Sequence, residues 1–174
     1  MNNLFLTGRI GIGKSTILKN ALQQINLSVG GYVTERIYEG YYRKYIVKSL
    51  YDNEEEYIII KVDSRDNSKE GFANVFENGV LSILDKSLKN RDLIVLDELG
   101  CTENNIDIFT SKIFEILNSE KIAFGVLKDD NCEFINEIKN RDDVIVLTVT
   151  EENRDYLFKE VVKILKSFMK KSKF

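Results

Sequence analysis

Short apolar runs alternate along this chain with longer stretches in which apolar residues recur every three or four positions. The runs at 4–7, 93–96, 122–127 and 144–149 read as strands of a largely parallel sheet, and 93–96, wholly apolar, is of the kind covered on both faces. The periodic stretches at 14–25, 75–88, 106–117, 134–138 and 151–169 read as helices. In the second of these Val80, Leu81, Leu84 and Leu88 form the apolar face; in the last it is Leu157, Val161, Ile164, Leu165 and Phe168. Between the first two helices lie three β-rich runs, 32–37, 41–50 and 56–62, with turn signals at Glu39-Gly40 and Asp52-Asn53 and no helical spacing between them. They predict an antiparallel insertion or edge on a mainly parallel sheet. The polar stretch 63–70 reads as a loop, and no repeat, low-complexity tract or linker interrupts the pattern. The expectation is an α/β fold in one domain spanning 1–174.

Composition narrows the chemistry more than the fold. The 174 residues contain 43% hydrophobic and 30% charged side chains, ordinary for a globular chain with room for a substantial core. A net charge of −3 gives no electrostatic footprint for nucleic acid. No stretch has the length of a membrane span and no signal-peptide pattern precedes the first strand, so a cytoplasmic protein is expected. Cys101 and Cys132 lack metal-ligand spacing and read as two reduced thiols. The chain has no histidine, which removes the commonest general base and histidine-ligated zinc catalysis together.

The strongest chemical signal is Gly8-Arg9-Ile10-Gly11-Ile12-Gly13-Lys14-Ser15, a complete G-x-x-x-x-G-K-[ST] phosphate-binding loop followed by Thr16. A predicted strand leads in and a predicted helix leads out, which is the context the pattern requires. In such a loop glycines let backbone N–H groups crowd a polyphosphate, and the helix N-terminus adds positive potential. Lys14 would reach the β- and γ-phosphates and the Ser15 hydroxyl would ligate Mg²⁺. The second signal is Leu93-Ile94-Val95-Leu96-Asp97-Glu98, a buried strand ending in two acids at the sheet edge where the loop also lies. Asp97 suits a Mg²⁺ site and Glu98 a general base for the attacking water. Asp97-Glu98-Leu99-Gly100 also fits a D-x-x-G switch pattern, and Leu127-Lys128-Asp129-Asp130 weakly echoes a guanine-reading motif whose first position should be polar.

Together with Gly31-Tyr32-Val33-Thr34-Glu35, Glu103 and Asn153-Arg154-Asp155, these residues make the chain resemble the small thermophilic-type, cancer-related nucleoside triphosphatases. These are P-loop proteins of the RecA-like, additional-strand catalytic-glutamate class. The resemblance implies slow, Mg²⁺-dependent hydrolysis of several nucleoside triphosphates, ATP, GTP, CTP and UTP among them, to diphosphate and phosphate. It also implies that Gly8 to Thr16 wrap the phosphates, Ser15 and Asp97 hold the metal, and Lys14 and Glu98 are catalytic. Thr34 and Glu35 stand near the nucleotide or form a polar strand end; Arg154 contacts the ligand or braces a helix capped by Thr150 or Glu151.

The chain departs from the family at several points. Arg9 and Ile10 replace loop prolines, Tyr38 a basic residue, Cys101-Thr102 a Lys-Met pair, and Gly125-Val126-Leu127 a threonine-bearing strand end. Each missing donor typically costs roughly 10²–10³ in rate, so binding follows more safely than fast turnover. Two rivals therefore remain: a small-molecule kinase, although 63–77 contains only Arg65 where a lid would carry several arginines, and a weakly catalytic regulatory module. Tyr38 to Tyr45 interleaves tyrosines with Arg43 and Lys44, as an exposed hairpin covering the sheet or a base-stacking surface. Glu54-Glu55-Glu56 reads as a solvated turn, and Lys170-Lys171-Ser172-Lys173 as a lysine-rich helix end.

Overall fold

Eight strands form one sheet in the computed structural model. The structure describes residues 2–71, 73–103 and 105–171. Strands β1 (Asn3–Thr7), β6 (Leu93–Leu99), β7 (Ile122–Leu127) and β8 (Val144–Thr148) run parallel, and the first part of β2 (Val29–Glu39) joins them beside β6. From β2 the sheet continues antiparallel through β3 (Tyr42–Ser49), β4 (Glu56–Asp63) and β5 (Lys69–Gly71). Strand β7 lies between β1, which enters the phosphate loop, and β6, which ends in the acidic pair. That interposed strand is the additional strand the resemblance implies.

The apolar runs of β1, β6 and β7 are buried because helices cover both faces of the sheet, whereas β8, at the sheet edge, is only half-buried. Leu4 and Leu6 point to one side with Leu93 and Val95; Phe5 points to the other with Ile94 and Leu96. The first side packs on α1 (Lys14–Leu22) and α6 (Arg154–Lys171) through Ile17, Leu18, Leu157, Val161 and Leu165. On the second side lie α3 (Leu81–Asn90), α4 (Asp107–Leu117) and α5 (Glu133–Lys139), with Ile83, Phe109 and Ile135 fully buried. No helix among the described residues is long and apolar enough to cross a membrane.

Most differences from the sequence reading fall at element ends. Helix α1 stops at Leu22 rather than 25, yet Ile25 still reaches the core. The 75–88 helix is α2 (Ala73–Val75), a π-helical turn over Phe76–Val80, and then α3. The supposed loop 63–70 contains the start of β5, whose exposed Lys69, Glu70 and Gly71 give no apolar signal to read. Helix α6 begins at Arg154, because Thr150 and Asn153 cap it: the Thr150 N–H donates to Asn153 Oδ1 (2.8 Å) and the Asn153 N–H to Thr150 Oγ1 (3.3 Å). The lysine-rich end is described only as far as Lys171; Ser172 and Lys173 lie outside the described residues.

Candidate active site

Strand β1 hands the chain to Gly8, whose φ of +128° and close approach to the Val149 carbonyl leave no room for a side chain. Gly11 and Gly13 also take positive φ, and a Cβ built at either would meet no protein atom within 4 Å. Gly13 is the N-cap of α1 and no side chain caps the helix, so its first N–H groups stand ready for an anion. The Lys14 amine donates to the carbonyls of Gly8 and Arg9. Burial lowers its pKa, against the opposing pull of Glu98, Asp129 and Asp97. Around it the loop side chains divide. Ile12 is buried in the core beneath α1, Ile10 is exposed, and Arg9 turns away to pair with Glu151.

Adjacent residues on a regular strand point to opposite faces. Asp97 and Glu98 nevertheless line the same cavity. Between Leu96 and Leu99 the β6–β7 register shifts by one residue, and Glu98 adopts φ +62°. That bulge turns both carboxylates towards the phosphate loop. A non-glycine residue in this region costs about 1–2 kcal/mol, which the flanking parallel strands sustain. Asp97 is 1% exposed; its Oδ2 accepts the Thr34 N–H at 3.0 Å, and its Oδ1 is buried without a hydrogen-bond partner among the described residues. Burial pushes its pKa up to about 6, opposed by the Thr34 N–H and reinforced by the Glu98 charge. A buried carboxylate oxygen left without a donor is what a hard cation satisfies. With Ser15 at the start of α1 in the same cavity, the donor set fits Mg²⁺, an ion that completes its shell with phosphate and water oxygens.

The cavity, of about 620 Å³, is bounded by Gly11, Gly13 to Thr16, the acidic pair, Lys128 to Asp130, and one face of the antiparallel extension. That last wall, built from Thr34, Arg36, Arg43 and Tyr45, was legible only in part, since nothing local says which face of a hairpin turns inward. Thr34 faces the cavity, whereas Glu35 faces away and pairs with Lys48 at 2.8 Å. Tyr38 and Tyr41 are exposed, as a solvated hairpin requires, while Tyr45 joins the cavity wall. The Arg154 side chain lies 3.6 Å from the carboxylate of its neighbour Asp155. Glu103, named through the resemblance, is buried, accepts the Gly100 N–H at 3.0 Å, and has its pKa raised by burial. Leu127 is fully buried, so the Leu127-Lys128-Asp129-Asp130 echo presents no polar first position to a base.

The reading of two reduced thiols is corrected. Cys101 and Cys132 form a disulfide, with Cα atoms 5.8 Å apart. Parallel neighbours β6 and β7 bring the loops after them to one edge of the sheet, where the Cys101 N–H also donates to Asp130 Oδ2 at 3.2 Å. A separation of 31 residues in sequence carries no hint of that proximity. Closing such a loop restricts the unfolded chain by about 3–4 kcal/mol. Reduction is therefore expected to lower Tm by roughly 7–14 °C in a thermal melt. The Cys101→Ser, Cys132→Ser double variant should melt low and ignore reductant; a wild-type melt indifferent to reductant would contradict the bridge.

An additional strand between the phosphate-loop strand and an acidic-pair strand, with both signals facing one cavity, defines a P-loop nucleoside-triphosphatase fold. The sequence profile described as NTPase matches residues 3–162. The chain belongs to that NTPase family. It is 32% identical over 168 residues to the nucleoside-triphosphatase THEP1 of Thermotoga maritima, covering 94% of this chain and 95% of that one. With the THEP1 protein of Methanocaldococcus jannaschii it shares 30% identity, over 91% and 94% of the two chains. The solution structure of a human cancer-related nucleoside triphosphatase superposes with a TM-score of 0.77 at 26% identity, over 96% of this chain and 98% of the other.

Proposed function

We propose that this chain, acting as one domain, hydrolyses nucleoside triphosphates to the diphosphate and phosphate with Mg²⁺ as cofactor and little preference among ATP, GTP, CTP and UTP. The backbone N–H groups of Gly8 to Thr16 bind the polyphosphate, and Lys14 exchanges its loop carbonyls for phosphate oxygens. Ser15 and Asp97 hold the metal. Glu98 orients the attacking water and takes its proton as the bond to the leaving diphosphate breaks. When bound, Mg²⁺ supplies charge neutralisation at the β- and γ-phosphates.

The observation that carries this reading is the bulge at Glu98, which aims two consecutive carboxylates at the phosphate loop, beside an Asp97 Oδ1 that has no donor among the described residues. Base tolerance follows from a site built on loop amides and carboxylates, with Leu127 in the core rather than at a base edge. The test is phosphate release from each of the four triphosphates, with Mg²⁺ and with excess chelator. Similar rates for all four and a return to background without metal are expected. Strict selection of one base would reject the tolerance, and release that persists under chelation would reject the metal role.

A further inference from the structure

The antiparallel extension presents two chemically different faces. On the face away from the cavity Lys48 pairs with Glu35 and Lys44 with Glu39, while Lys61 lies over the Tyr42 ring. On the cavity face Arg36 stands opposite Tyr45 across the β2–β3 ladder, with Arg43 two residues from Tyr45 on the same side. Both guanidinium groups lie over the Tyr45 ring, at 5.3 and 5.8 Å from its centroid. Lys69 of β5 borders the same cavity. Among the described residues none of these three cations has an ion-pair partner, and Arg43 Nε is buried without an acceptor. A buried donor left unpaired is costly, so such a group marks the place of an absent acceptor. Beneath these cations the wall turns apolar, with Val47 and Phe76.

We infer that Arg36, Arg43 and Lys69 form a second subsite in the nucleotide cavity, which takes an organic anion whose charged end meets the cations and whose apolar body lies on that wall. Fork-shaped guanidinium groups suit a phosphate or carboxylate, and Tyr45 holds the two forks in place. The inference rests on the phosphate loop holding the triphosphate, since it assigns these cations to a different ligand.

Phenyl phosphate is the probe, titrated by calorimetry into protein saturated with Mg²⁺ and a non-hydrolysable ATP analogue. One further binding event is expected, about tenfold tighter than inorganic phosphate because of the phenyl group, and absent for phenol. Arg43→Met and, separately, Lys69→Met should each weaken phenyl phosphate about tenfold while the analogue binds as before. Arg43→Lys should retain part of the affinity. Lys69 is exposed on an edge strand, so its variant tests the subsite even where Arg43→Met fails to fold. No second event, equal binding of inorganic phosphate, or a parallel loss of analogue affinity in the variants would overturn the subsite. An analogue that fails to bind unmodified protein, seen in its own titration, would instead overturn the nucleotide reading and the subsite with it.

Discussion

Replacing Glu98 by Gln is expected to cut the rate of phosphate release by about 10²–10⁴ while leaving affinity for a non-hydrolysable analogue unchanged. The amide keeps the shape of the side chain but cannot accept the proton of the attacking water, so the loss falls on kcat. A residue that merely faced the cavity would show no such split, and undiminished hydrolysis would reject the general-base assignment. The backbone supplies an independent check. Glu98 sits at φ +62°, a conformation that glycine adopts without strain. Glu98→Gly should therefore be as stable as the parent, or more so by up to about 1 kcal/mol, while it is as inactive as Glu98→Gln. Stability retained as activity is lost would identify the strain at Glu98 as serving the reaction rather than the fold.

Gly31→Ala should be the most destabilising small substitution in the chain, at about 4 kcal/mol or more. Its φ is +83°, and a Cβ would fall 2.1 Å from the Val95 carbonyl oxygen and 2.6 Å from the Val95 nitrogen, atoms of the neighbouring strand that cannot yield. The same residue turns its N–H out of the ladder to the Ser87 hydroxyl at 2.8 Å, which in turn donates to the Ile83 carbonyl. Gly31 thus fixes where α3 meets the sheet, three residues before Thr34 grips Asp97. A fall in Tm of roughly 8–16 °C is expected. Gly40→Ala is the control: its φ is +57°, but nothing lies within 4 Å of the added Cβ. It should cost only about 1 kcal/mol, and equal losses at the two positions would refute the steric account.

Some of this protein was legible in residue order alone. Strand β1, the phosphate loop and α1 are contiguous, so a local pattern of apolar run, glycines, lysine and periodic helix specifies them without reference to the rest of the chain. The same holds for the buried strands β6 and β7, whose apolarity reports burial on both faces, whereas the similarly apolar β8 is an edge strand and only half-buried. The acidic pair Asp97-Glu98 was legible at the end of β6 in the same way, and the resemblance added Glu103.

What tertiary structure decided was every relation between segments distant in sequence. Residue order would set Asp97 and Glu98 back to back; a one-residue bulge held between parallel neighbours turns them the same way. It also left open that β7 would be inserted between β1 and β6, which is why the Cys101–Cys132 bridge went unseen. The inward face of the β2–β4 hairpins was hidden for the same reason. Apolar periodicity records whether a side chain is covered, whereas the partner that covers it is chosen by packing across the sheet.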